Sequence, residues 1–294
     1  MRTLMLVALP LFVLFVLLGC PRSRTDTGTT TPTARPEAPA SVDEGQPSEA
    51  AQMEPSVEYI LNPRDDTMRL ILIPAGEAVF GADDTFLYAK PQFTASLPAY
   101  CLGETEVTNA QYSRFVAATG YQPPGAWPGG EIPGGKENHP VAPVSWDDAQ
   151  AYCEWAGLWL PTELEWEKGA RGTDGRDYPW GNVWDVSKCQ NHMGLTPADG
   201  LCAVDAYPEG RSPWGLYNMS GNAWEWCSDW YDTDAYKRYA SGDLTPPLIG
   251  GAQARMARGG SWFNNAPRDF HCASRGSPSP QPPYAYGFRC SRGL

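Results

Sequence analysis

Between Trp214 and Trp230 the chain reads W-G-L-Y-N-M-S-G-N-A-W-E-W-C-S-D-W, four Trp and one Tyr interleaved with Asn218, Asn222, Glu225 and Asp229. Rings of that size bury much area and call for a core. Amides and carboxylates set among them need partners once water is excluded. Two arrangements supply such partners: hydrogen bonds to irregular backbone, or a hard cation held by oxygen ligands. Gly215 and Gly221 predict turns, so the oxygens are expected from a folded loop rather than from one helix face.

Other chemically able residues are sparse or ambiguous. His139, His192 and His271 are the only histidines and show no ligand spacing, so scaffold or surface roles account for them. Eight Cys is many for a cytosolic chain of 294 residues, and their meaning depends on the compartment. The N-terminus speaks to that. Arg2 is followed by an uncharged, largely aliphatic run to Gly19, interrupted by Pro10 and short for a bilayer span. The run ends Leu17-Leu18-Gly19-Cys20, which resembles a bacterial lipobox. Residues 1–19 are therefore expected to be a lipoprotein signal peptide, with Cys20 lipidated. That anchors the chain in the bacterial cell envelope, facing the periplasm or the exterior, with no transmembrane helix.

The elements that must position these groups lie further on. Residues 20–56, rich in Thr, Pro and Ala, are expected to form a disordered tether, too poor in large apolar residues to order itself. A folded domain is expected over 57–294. All 12 Trp lie between Trp127 and Trp262, so its core is sought there. Arg69–Ile73, closed by Pro74, reads as a strand, and Val79–Gly81 as a shorter one. Thr108-Asn-Ala-Gln111 is a capping box that opens a helix stopped by Gly120. Ser145 caps a second helix ending at Gly157, with Asp147 and Asp148 in its first turn. Thr162-Glu-Leu-Glu165 opens a third, running through Ala170. Beyond Gly172 the periodicity fades into loops and short strands. The net charge of −12 argues against nucleic acid or an anionic membrane surface as a partner. The membrane is met through the lipid anchor only.

Spaced blocks then resemble the formylglycine-generating enzyme, or sulfatase-modifying factor, family. They include Met68–Gly76, Glu106-Val-Thr-Asn109, Val144–Ala149, Leu160–Glu167, Tyr178-Pro-Trp-Gly-Asn182, Gly215-Leu-Tyr-Asn218, Gly221-Asn-Ala-Trp-Glu-Trp226, Arg258-Gly-Gly-Ser-Trp262 and Gly287-Phe-Arg289. The resemblance implies the family's α+β variant of the C-type lectin fold, a single domain with little regular structure. Aerobic members bind copper(I) through two Cys just after the Gly-Gly-Ser motif and oxidise a substrate Cys to formylglycine. Here the first of those positions is Asn264, and the second falls within Ala266–Asp269, where no Cys stands. Hard amide and carboxylate oxygens are poor copper(I) ligands, so copper is not expected. Ser261, Asn264 and His271 line that stretch without forming a recognisable catalytic set.

Calcium is the cofactor the resemblance implies, in two structural sites. One comprises the Asn218 side chain, the Gly221 and Ala223 carbonyls and the Glu225 carboxylate. The other comprises the Asn191 side chain, the His192 carbonyl, the Asp199 carboxylate and the Leu201 carbonyl. Both sets are all-oxygen, as calcium prefers. Cys153 and Cys290 match a family disulfide. Cys189 and Cys202 flank the second calcium set, and Cys272 has Cys227 as one possible partner. The pairing of Cys101, Cys189, Cys202, Cys227 and Cys272 stays open.

Two functions follow. The first is a membrane-anchored, calcium-stabilised binding module for a protein, peptide or glycan, without formylglycine-generating activity. Its C-terminal segment would carry the binding surface and could be a diversified region. The alternative is an oxidoreductase or other protein-modifying enzyme, formylglycine-generating-like or pyoverdine-maturation-like, that uses altered site residues.

Overall fold

Thr108, Ser145 and Thr162 each start a helix in the computed structural model, which describes residues 59–62, 64–83, 89–193, 200–247, 254–276 and 285–294. The expected signal segment, Cys20, the tether and Asp199 lie outside these residues. Helices α1 (Asn109–Thr119), α2 (Trp146–Ala156) and α3 (Glu163–Arg171) all open on a full capping box, closed by Gln111, Asp148 and Glu165. Gly120 and Gly157 end the first two in the left-handed conformation, as their positions predict. Among the described residues no helix is long and apolar enough to cross a membrane.

Strand β2 (Asp65–Ile73) starts earlier than its apolar run. The reason is β1 (Tyr59–Asn62), which folds back on it as an antiparallel partner. Leu70 packs into one core cluster and Ile71 into another, so β2 is buried on both faces. That explains a continuous Leu-Ile-Leu-Ile run in place of alternation. β5 (Tyr100–Gly103) pairs with the other side of β2, and β10 (Ser291–Gly293) pairs with β5, giving the antiparallel order β1-β2-β5-β10. The end of the chain thus lies two strands from its first long strand. β3 (Gly76–Phe80) and β4 (Phe93–Leu97) form a separate antiparallel pair.

The Trp214–Trp230 stretch departs from the expected loop. Residues 214–223 are irregular, with Gly215 and Gly221 at φ +86° and +83°. Trp224–Trp230 is a strand, β6. Its alternation buries Glu225, Cys227 and Asp229 and leaves Trp224, Ser228 and Trp230 half-buried. The acids share one buried face, and Trp226 is buried on the other, so β6 is covered on both sides. Glu225 is therefore presented by a strand, whereas Asn218 and Gly221 come from the loop. A Cβ on Gly221 would sit 2.3 Å from the Gln190 carbonyl oxygen, so only glycine fits there. β6 forms the centre of a third sheet with β7 (Arg255–Arg258), β8 (Arg275–Gly276) and β9 (Tyr286–Gly287), in the order β8-β7-β6-β9, with β9 parallel to β6.

Asp229 of β6 fastens α3 to this sheet. Its Oδ2 accepts a hydrogen bond from the Glu163 backbone N–H at 2.9 Å. Burial, reinforced by the charge of Glu163, pushes the Asp229 carboxyl up to about 7 from its ordinary 3.8. The folded domain therefore holds a proton that the unfolded chain releases near pH 4. This contribution to stability is complete below pH 3.8 and is lost as pH rises through 7. The melting temperature is expected to fall between pH 5 and pH 8, and Asp229→Asn to flatten that slope in a calorimetric titration. An equal slope in the variant would remove Asp229 as its source.

Candidate functional site

Glu225 of the aromatic stretch meets the C-terminal segment of the chain in the core. Glu225 Oε2 accepts from Arg289 Nε at 2.6 Å and from Trp166 Nε1 at 2.7 Å, and Oε1 accepts from Arg289 Nη2 at 2.7 Å. Arg289 also donates to the carbonyls of Gly103 and Tyr217. A second carboxylate, Glu106, lies just before α1. Its two oxygens accept from Asn218 Nδ2 and Asn222 Nδ2, both at 2.9 Å. Burial, with the nearby charge of Glu225, pushes Glu106 up to about 8, against the opposing pull of Arg289. Asn218 and Asn222 both hold positive φ, at +53° and +59°, a conformation Asn tolerates better than most residues. Glu106 is the member of this knot that sequence reasoning missed. It stands in the Glu-Val-Thr-Asn block, and nothing local in the sequence marks it as facing Asn218.

One oxygen in the knot is open. Asn218 Nδ2 donates to Glu106 and to the Val204 carbonyl, two acceptors that fix the amide orientation. Asn218 Oδ1 is then left buried without a partner. An orphaned amide oxygen is a donor that suits a hard cation, and a cation taken there would draw Glu106 into its ionised form. Glu225, in contrast, already accepts three hydrogen bonds. The expected 218–225 set thus fits through Asn218, and Glu225 would have to share its carboxylate with Arg289. At the other expected set, Asn191 Nδ2 donates to the Val186 and Cys189 carbonyls, and Oδ1 accepts from Met193 N. His192 is exposed, and its N–H donates to the Asn264 carbonyl at 3.0 Å. Leu201 is half-buried, and Asp199 lies outside the described residues. Among the described residues no three His, Cys, Asp or Glu side chains form a metal-binding group.

The stretch after the Gly-Gly turn is closed on itself. Asn264 Oδ1 accepts from the Ser261 N–H at 2.9 Å and from Ser261 Oγ at 3.1 Å. Asn264 Nδ2 donates to Asp269 Oδ2 at 3.2 Å, and Trp262 N donates to the Asn222 carbonyl. The nearest downstream thiol, Cys272, is fully buried and pushed up to about 12 by that burial. His271 sits edge-on to Tyr178 at 4.7 Å, with Nδ1 4.0 Å from Asp177 Oδ1, and burial lowers its pKa. Beside this turn, Phe263 is 68% exposed and its ring is 6.0 Å from that of His192. Met193, the next residue, lines an open recess of 580 Å³ with Trp180, Val183, Trp184 and Val186. Sequence reading did not single out this recess, because its rings are split between the Tyr-Pro-Trp-Gly-Asn block and residues outside any block.

The sulfatase-modifying factor enzyme 1-like domain matches residues 58–294. The chain belongs to this family. A formylglycine-generating enzyme of Thermomonospora curvata is 31% identical over 293 residues, covering 78% of this chain and 95% of that enzyme. PvdO from Pseudomonas aeruginosa shares the fold with a TM-score of 0.66 at 21% identity, over 81% of this chain and 98% of PvdO. Treponema denticola variable protein 1 does so at 0.63 and 24% identity, over 81% and 99% of the two chains. At these identities the two structures speak to the fold alone. That fold is the family's α+β variant of the C-type lectin architecture, as the sequence blocks imply.

Proposed function

We propose that this family member is a calcium-stabilised binding module, anchored to the bacterial envelope through lipid on Cys20 and without copper-dependent formylglycine-generating activity. The observation that carries the reading is the double hydrogen bond from Ser261 to Asn264 Oδ1. At the first position where the enzymes place a thiolate, this chain has an amide already engaged by its own turn. What the turn offers outward is apolar. Phe263 and the neighbouring Trp180–Trp184 recess make a surface that suits a protein, peptide or glycan ligand. Cys20→Ser is expected to abolish lipid labelling of the exported chain, and unchanged labelling would remove the anchor from this account.

Calcium enters through the open Asn218 oxygen, with the Gly221 and Ala223 carbonyls and Glu225 completing its ligands. It would hold irregular backbone in place and take no part in chemistry. A ligand that binds only the folded state stabilises it by about 2.7 kcal/mol at a hundredfold excess over Kd. Chelation is expected to lower the melting temperature by several degrees. Asn218→Gly, which accepts the positive φ, is expected to reduce that response. A melting curve indifferent to chelator and to added calcium would contradict the assignment.

The activity test is direct. A Cys-x-Pro-x-Arg peptide incubated with the domain, copper and oxygen is expected to keep its mass. Copper-dependent loss of the thiol to an aldehyde, abolished by Cys272→Ser, would overturn the binding-module reading in favour of an enzyme with a relocated site.

A further inference from the structure

Two thiols flank the knot without serving it. Cys189 follows the short turn Val186–Lys188 and is buried, while Cys202 is half-buried. They approach consecutive residues of the same loop. A Cβ placed on Gly221 would lie 3.2 Å from Cys189 Cβ, and Cys202 reaches Asn222 Oδ1 through its N–H at 3.0 Å and its Sγ at 3.5 Å. Three hydrogen bonds centred on Gln190 draw the surrounding segments together. Gln190 Nε2 donates to the Gly200 carbonyl at 2.8 Å, Tyr207 Oη donates to Gln190 Oε1 at 2.6 Å, and Asn222 N donates to the Gln190 carbonyl at 3.0 Å.

We infer that Cys189 and Cys202 form a disulfide in the exported protein, a covalent clasp beside Asn222 that braces the Trp262–Asn264 turn. Their shared contacts at Gly221, Asn222 and Gln190 hold the two chain segments side by side, the arrangement a bridge requires. In the balanced step two S–H bonds break and one S–S bond forms. The two electrons and two protons pass to a disulfide-bearing thiol oxidant, which is reduced to a dithiol.

The brace follows from two backbone hydrogen bonds. His192, three residues after Cys189, donates its N–H to the Asn264 carbonyl, and Trp262 N donates to the carbonyl of Asn222. The turn proposed to face the ligand therefore hangs on residues that the clasp immobilises. The bridge rests on the export included in the proposed function, and the significance of the brace rests on its binding-module reading.

Trypsin cleaves after Lys188 and Arg211, leaving both cysteines in one peptide, 189–211. The full chain exported to the periplasm is denatured, treated with iodoacetamide without reductant and digested. Peptide 189–211 is expected unalkylated and two hydrogens lighter than its reduced form. Alkylation of both cysteines, or a link from either one to Cys227 or Cys272, would overturn the inference. Amide exchange at Trp262 and His192, the two N–H groups that make the bracing hydrogen bonds, supplies the second readout. It is expected to quicken in Cys189→Ser/Cys202→Ser relative to the oxidised parent, and unchanged exchange would refute the brace. Neither readout depends on the peptide-oxidation assay, so their failure and that of the proposed function are distinguishable.

Discussion

The buried pair Glu225–Arg289 is the constraint on which the rest of the domain depends. Both side chains are fully buried, and such a pair is stable only with close geometry and with its remaining hydrogen bonds satisfied. Here Trp166 of α3, the Gly103 carbonyl at the end of β5 and the Tyr217 carbonyl meet those needs. One ion pair thus joins a helix, two sheets, the aromatic loop and the C-terminal segment. Losing either partner strands a buried charge, a loss of about 3–5 kcal/mol in comparable cases. Glu106 lies within the field of that pair, and its two amide partners hold Asn218 and Asn222 in their left-handed conformations.

A second buried network fixes the neighbouring thiol. Arg258 Nη2 donates to Glu167 and to the Cys272 carbonyl, and Arg258 Nη1 donates to the Ser274 carbonyl. Cys272 is held at its backbone by a guanidinium that is itself neutralised inside the core. Moving this thiol toward Asn264 would break those contacts as well as the bond from Cys272 N to the Asp177 carbonyl. This rigidity separates the scaffold from the turn that it carries. The turn satisfies its polar groups internally and leaves Phe263 to solvent.

Local signals were legible in the sequence. The boxes at Thr108 and Thr162 and the glycine stops at 120 and 157 need only a few adjacent residues, and each forms as expected. Long-range geometry was not legible. β6 escaped a strand assignment because its inward face is Glu225, Cys227 and Asp229, which reads as polar until Arg289 and the Glu163 backbone are seen opposite. The role of Glu106 depends on amides more than a hundred residues away. Cys153 and Cys290, matched through the family, come together with sulfurs 3.7 Å apart, the distance of a thiol contact. The recess beside Phe263 depends on how Trp180, Trp184 and Met193 converge, and no spacing rule announces that.

The central claim is that the family scaffold here has exchanged a soft-metal site for a self-satisfied turn and a calcium-held knot. Metal analysis of the mature domain, purified without chelator and then dialysed against calcium and copper(I) together, tests it most directly. The account predicts calcium retained with the folded protein and copper far below one equivalent. One equivalent of copper bound by the domain, with no calcium, would contradict it.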